Sequence, residues 1–264
     1  MTKGSYWTIL TLGLLVALLL TQCAPTAAPE PTAPPPAEAE ATEAPPPTEP
    51  PAVEEAEPNV FVYAHGTTFP DIDPAISFSN DSVITSNCYE TLTFYNPPGS
   101  DEVLSPKLAT SWETNEDATE WTFRLREGVV FHNGDPFNAQ AVKGALDNTI
   151  EIGAGAAYIW DPVEEIEVVD DYTVKFKLSY AAPLDLVASS GYGSWIYNPA
   201  VYAEKGTEWL NEGNCAGTGP YTIESRERGS RLIMTRFEDY WGGWSEGQFD
   251  KIVFEISEDN VALQ

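Results

Sequence analysis

The chain has 264 residues and carries 41 acidic against 13 basic side chains, a formal charge of −28 at neutral pH; such a surface repels nucleic acid rather than drawing in its phosphates. Three cysteines are too few for a disulfide-dense mini-protein, and two histidines far apart in sequence do not make a His-rich cage, so neither a metal nor a cofactor is expected. With 42% apolar and 12% aromatic residues there is material for a core, but acid and proline are unevenly spread, so composition is read segment by segment.

Lys3 precedes an apolar run from Trp7 to Leu20, the length of a secretory h-region and too short to span a bilayer comfortably as a helix. It ends in Leu20-Thr21-Gln22-Cys23, which resembles the bacterial lipobox, although Gln22 stands where that motif usually has a small residue. Residues 1–22 are therefore expected to be a lipoprotein signal peptide and Cys23 the lipidation site. The protein would be exported and anchored to the outer face of the cytoplasmic membrane, since each buried acyl methylene contributes roughly 0.8 kcal/mol. From Ala24 to Pro58 the chain holds 12 Pro, 10 Ala and 8 Glu with no Lys or Arg. No core can form from that. Polyproline II at roughly 3.1 Å per residue, extended by like charge, gives residues 23–58 a reach of about 100 Å as a stalk.

The folded part, Asn59 to Gln264, has 206 residues with 33 acids and 12 bases, a charge of −21. Val60 to Ala64 reads as a buried strand leading into a loop at His65-Gly66, and Asp73-Pro74 starts a turn. Ser79, Asn80 and Asp81 are N-cap candidates for a helix whose apolar face holds Val83, Ile84, Cys88 and Leu92. Leu108–Glu113 and Glu120–Arg126 form a hairpin, and in the second run Trp121, Phe123 and Leu125 alternate with Thr122, Arg124 and Arg126. After the Asn133-Gly134 turn, Asn138 caps a helix from Ala139 to about Ile150. Val163–Val169 and Tyr172–Leu178 make a second hairpin around Asp170-Asp171. An apolar stretch Leu184–Ala188, an aromatic segment Tyr192–Tyr197 and a short helix Pro199–Lys205 follow. Gly217-Thr218-Gly219-Pro220-Tyr221 opens a strand that returns through Arg231–Arg236, and Lys251–Ile256 is the last strand. The class is α+β / α/β, with no solenoid or propeller repeat.

These patterns, taken in order, resemble the extracellular solute-binding proteins of family 5, the oligopeptide, dipeptide and nickel receptors of ABC importers. The matching pieces are Asp73-Pro74, Tyr89-Glu90-Thr91-Leu92, Leu108-Ala109-Thr110-Ser111-Trp112, Trp121 to Arg126, Phe131 to Ala139, Gly217 to Tyr221 and Tyr240-Trp241-Gly242. The resemblance implies a periplasmic-binding-protein-like two-lobe fold with an additional small domain. Residues 59–90 and 186–264 would belong to the hinge lobe and 91–185 to the inserted α+β domain. It also implies a chain that continues into a second lobe, so that these residues alone should bind no solute tightly. The implied partners are a small solute or peptide, a permease with its ATPase, and the membrane through the lipid anchor; the receptor is expected to be a monomer.

By the same resemblance the ligand-facing candidates are Phe78, Ser79, Asn80 and Asp81 in the loop after the first strand, the aromatics Tyr192, Trp195 and Tyr197, and His65. Trp112, Trp121 and Phe123 are expected in the core, Tyr221 inside the hinge lobe, and His132 in a local hydrogen bond at its turn. With Cys23 lipidated, Cys88 and Cys215 remain as an even pair in an oxidising compartment, both in the implied hinge lobe, and are expected to be disulfide-bonded. Two other readings stay open from the residues alone: an exported glycosidase-like hydrolase, or an adhesion protein on a stalk. Against the hydrolase, the sequence has no Gly-x-Ser-x-Gly elbow, no His-Glu-x-x-His and no phosphate-binding Gly-rich Lys loop. No catalytic residue is expected.

Overall fold

A computed structural model describes residues 57–256, so the export leader, Cys23 and the stalk as far as residue 56 lie outside the described residues. One four-stranded sheet takes its strands from the middle of the chain: β4 (Ala109–Thr114), β5 (Glu120–Leu125), β6 (Val163–Asp170) and β7 (Thr173–Leu178), in the antiparallel order β4-β5-β7-β6. The alternation in β5 sets its faces. Trp121 and Phe123 pair across the ladder with Phe176 and Val174, and all four are buried. Thr122 and Arg124 point to the other face. Helix α2 (Ala139–Ile152) lays Val142, Ala145 and Leu146 onto the apolar side. It starts where Asn138 Oδ1 accepts from Ala141 N at 3.0 Å and ends at Gly153, whose φ of 64° suits a residue without Cβ.

The second four-stranded sheet joins the two ends of the described chain. Strand β1 (Val60–His65) pairs in parallel with β10 (Lys251–Ile256), and β9 (Arg231–Arg236) and β8 (Tyr221–Glu227) follow antiparallel, giving β1-β10-β9-β8. The apolar run in β1 reads as a buried strand, but the strand lies at the sheet edge, and Val60, Phe61 and Val62 are 41%, 41% and 53% exposed. Burial of such a run requires neighbours on both sides, and among the described residues β10 is the only strand beside it. A ribbon of β2 (Thr93–Tyr95) and β3 (Leu104–Pro106) completes the strands.

Helix α1 (Ser82–Cys88) is shorter than its apolar spacing suggests. Asp81 occupies the N-cap without a side-chain bond, and Leu92 is buried beyond the helix, after an isolated bridge between Glu90 and Ile196. The short α3 (Leu184–Val187) precedes the aromatic segment, and α4 (Pro199–Asn211) runs past Lys205 because the chain resumes helical form after a break at Gly206, φ 71°. Asn198 Oδ1 caps α4 by accepting from Ala200 N and Val201 N. The glycine pair at 217 and 219 has a packing reason: a Cβ on either would overlap the Cys88 carbonyl. Beside them Cys88 and Cys215 are joined, with Cα atoms 6.0 Å apart across a separation of 127 residues.

Other expectations need adjusting. Trp121 and Phe123 are core residues, but Trp112 is only partly covered. His132 bonds far along the chain rather than locally, with Nε2 at 2.9 Å from the Gly219 carbonyl and the ring edge-on to Phe237. Burial pulls its pKa down to about 4. Tyr221 is buried and donates to the Phe249 carbonyl.

Candidate functional site

The loop between β1 and α1 is fastened at both ends. Asp73 is buried, its Oδ1 accepts from Ala75 N and its Oδ2 from the Tyr202 hydroxyl, while burial raises its pKa. His65 stacks between Tyr63 and Phe69, and its Nδ1 lies 2.9 Å from Thr67 Oγ1, which in turn accepts from Asn80 Nδ2. His65 therefore ties the loop together at its base. Between these anchors Ser79 adopts φ 129°, a region that costs a non-glycine residue about 1–3 kcal/mol and that concentrates at binding loops. Asp81 is enclosed, its Oδ1 finds no partner among the described residues, and desolvation raises its pKa.

The aromatic segment closes onto this loop. Tyr192 donates to the Ser79 carbonyl at 3.2 Å, and its ring lies 5.3 Å from that of Phe78, which is 53% exposed. Gly193, at φ 73°, packs against the Ala156 backbone, and Trp160 Nε1 donates to its carbonyl at 2.7 Å. The segment is thus held by the loop after α2 while its side chains face α1. Ser82, Val83, Ser86, Gly191, Tyr192 and Trp195 line a recess of about 280 Å³. Trp195 is 6% exposed and its indole N–H has no acceptor among the described residues. Such an orphan donor costs about 1–3 kcal/mol.

Of the eight ligand-facing candidates, Tyr192 and Trp195 line this recess, and Tyr192 joins it to Phe78 and Ser79. His65 and Asn80 meet at Thr67 Oγ1 within the loop, and Asp81 is enclosed at the start of α1. Tyr197 leaves the set: it is fully enclosed, and its hydroxyl is occupied by Asn148, Thr149 and the Ala145 carbonyl. Its position two residues from Trp195 in an extended segment suggests a shared face, but the following turn into α4 drives it under α2.

A cluster that the sequence reading did not single out lies next to the recess. Glu90 has no exposed surface, yet carries a carboxylate. Its Oε2 accepts from Trp241 Nε1 at 2.7 Å and Thr218 Oγ1 at 2.9 Å, and its Oε1 from the Tyr240 hydroxyl at 3.0 Å. Lys107 Nζ stands 3.5 Å from Oε1, and the Arg126 guanidinium lies 4.1 Å from the Trp241 ring centroid. The motifs around Glu90, Thr218 and Tyr240-Trp241 are separately visible in the sequence; their convergence on one buried acid is not. Among the described residues no group of three His, Cys, Asp or Glu is placed to hold a metal ion.

Residues 103–264 match the family model "Bacterial extracellular solute-binding proteins, family 5 Middle". The chain belongs to this family. Family 5 members are binding proteins, not enzymes, and their architecture is of the periplasmic-binding-protein type. A family relative, the probable D,D-dipeptide-binding periplasmic protein DdpA of Escherichia coli, is 33% identical over 178 residues, covering 65% of this chain and 34% of that protein. The ABC transporter-associated periplasmic binding protein DppA of Helicobacter pylori, solved with peptide STSA, superposes with a TM-score of 0.65 at 28% identity, covering 77% of this chain and 44% of that one. A nickel ABC transporter protein of Bacillus halodurans gives a TM-score of 0.64 at 28% identity, covering 77% and 40%. The chain spans about a third of the length of the curated family 5 relatives it matches.

Proposed function

We propose that the chain forms one wall of the solute cleft of an ABC-importer receptor that captures a di- or oligopeptide outside the cytoplasm and hands it to a permease. The observation that carries this reading is the aromatic recess around Trp195, lined also by the hydroxyl residues Ser82 and Ser86 and tied through Tyr192 to the Ser79 loop. A peptide backbone supplies carbonyl acceptors, and exposed rings such as Phe78 cover variable side chains with little selectivity. Relatives named for dipeptides and for nickel bracket the choice. In this reading residues 59–90 and 186–264 form the hinge lobe and 91–185 the extra domain, a division supported by the two separate four-stranded sheets.

Lipidation at Cys23 would keep the receptor beside its permease, and Cys23→Ser should release it from the membrane fraction. The solute class is tested by thermal unfolding of the intact protein against di- to pentapeptides and nickel complexes. A ligand at a hundredfold excess over its Kd adds about 2.7 kcal/mol. Stabilisation by peptides supports the proposal; stabilisation by nickel complexes alone, or by neither, overturns it.

A further inference from the structure

We propose that a second recess bordering Trp195 is a carboxylate subsite, with Lys107 as its cation. The inference rests on the solute-binding reading and adds the chemistry of one end of the solute. This recess, about 210 Å³, is bordered by Tyr89, Phe94, Tyr95, Lys107, Gly191 and Trp195. Its size suits one functional group and its nearest carbons rather than a whole ligand.

Lys107 is held in place without being used up. Its ammonium lies 5.4 Å from the Phe94 ring centroid and 3.5 Å from Glu90 Oε1, longer than an N–H···O hydrogen bond, which is about 2.7–3.2 Å. The Glu90 oxygens are already occupied at 2.7 to 3.0 Å by Trp241, Thr218 and Tyr240. Glu90 is the acid paired with the ammonium, and at that distance donors remain for a ligand.

Trp195 forms the wall that this recess shares with the first. A Cβ on Gly191 would sit 3.9 Å from Trp195 Cζ2, the ring carbon next to the Nε1 edge, and Gly191 borders both recesses.

The local charge points the same way. Glu90 contributes one negative charge and Lys107 and Arg126 two positive ones, a net positive centre in a chain of charge −28. Phe94 and Tyr95, 45% and 56% exposed, flank it. The group recognised is accordingly a carboxylate attached to an apolar or aromatic carbon skeleton.

The test follows the Trp195 indole N–H by nitrogen-15 NMR in the intact protein, its signal identified by its loss in Trp195→Phe. The probes are N-acetylphenylalanine and N-acetylphenylalaninamide, identical except for the charge. The acid should shift the Trp195 signal saturably and bind about tenfold more tightly than the amide. Lys107→Met should abolish that preference and Lys107→Arg retain it, with the other indole signals unmoved as a check on the fold. Equal response to acid and amide, a preference that survives in Lys107→Met, or no response to either probe overturns the proposal. Peptides that stabilise the protein equally as free acids and as C-terminal amides would remove the carboxylate subsite while leaving the solute-binding reading intact.

Discussion

Replacing Glu90 probes the junction that ties three distant parts of the chain to the wall of the recess. In Glu90→Ala the acceptors of three hydrogen bonds disappear, stranding Thr218 Oγ1, the Tyr240 hydroxyl and Trp241 Nε1. A hydrogen bond to a charged group contributes about 1.5–3 kcal/mol. The three do not add in full, because Thr218 is fully buried while Tyr240 and Trp241 are only half-buried and regain water. The expected loss is about 3–5 kcal/mol, the scale of breaking a buried charged cluster. Glu90→Gln keeps the shape and one acceptor and should lose about half as much. Lys107→Met removes only the partly exposed partner at 3.5 Å and should cost less than about 1 kcal/mol. Urea unfolding with unchanged m-values reads all three. If Lys107→Met costs as much as Glu90→Ala, or if Glu90→Ala is nearly neutral, the neutral donors are not what holds the acid.

Three further outcomes follow from the packing around the same junction. The Cys88–Cys215 bond closes a separation of 127 residues, which in the chain-entropy model stabilises by at most about 5 kcal/mol; non-reducing peptide maps should show the linkage, and two free thiols in exported protein would contradict it. His132, with a folded pKa of about 4 against an ordinary 6.5, favours folding fully above pH 6.5, and that contribution is lost as pH falls toward 4. The stability difference between wild type and His132→Asn should therefore change by about 3 kcal/mol between pH 7 and pH 4, as followed by urea unfolding at each pH, and a flat difference would refute burial as the cause. Gly217→Ala should destabilise by several kcal/mol, on the order of 3 or more, because the backbone of Cys88, not a flexible side chain, occupies the space; near-neutral thermal unfolding would show that the loop can move.

Much of the fold is legible because local signals there agree with tertiary need. Trp121, Phe123 and Leu125 alternate at the period of a strand with one covered face, and Asn138 and Gly153 bracket α2 with the chemistry that helix ends require. Reading fails where burial depends on remote partners. Val60 to Val62 look like core because apolar content does not report whether a strand is central or at an edge. Leu92 shares the spacing of α1, yet the helix stops at Cys88, where Gly217 and Gly219 press against the carbonyl. In the site, Phe78, Ser79, Tyr192 and Trp195 are candidates only through family resemblance, and the sequence does not show that Trp195 and Tyr197 are both buried. The Glu90 cluster was invisible as a unit because its members lie up to 151 residues apart.

In the proposed receptor, solute is held on the surface formed by the loop after β1, the start of α1 and the Trp195 segment. Hydrogen–deuterium exchange of the intact protein, with and without a peptide that stabilises it, tests this directly. Slowed exchange concentrated in residues 77–86 and 189–196 is expected. Unchanged exchange in both segments, with slowing confined to the β4–β7 sheet, would contradict it.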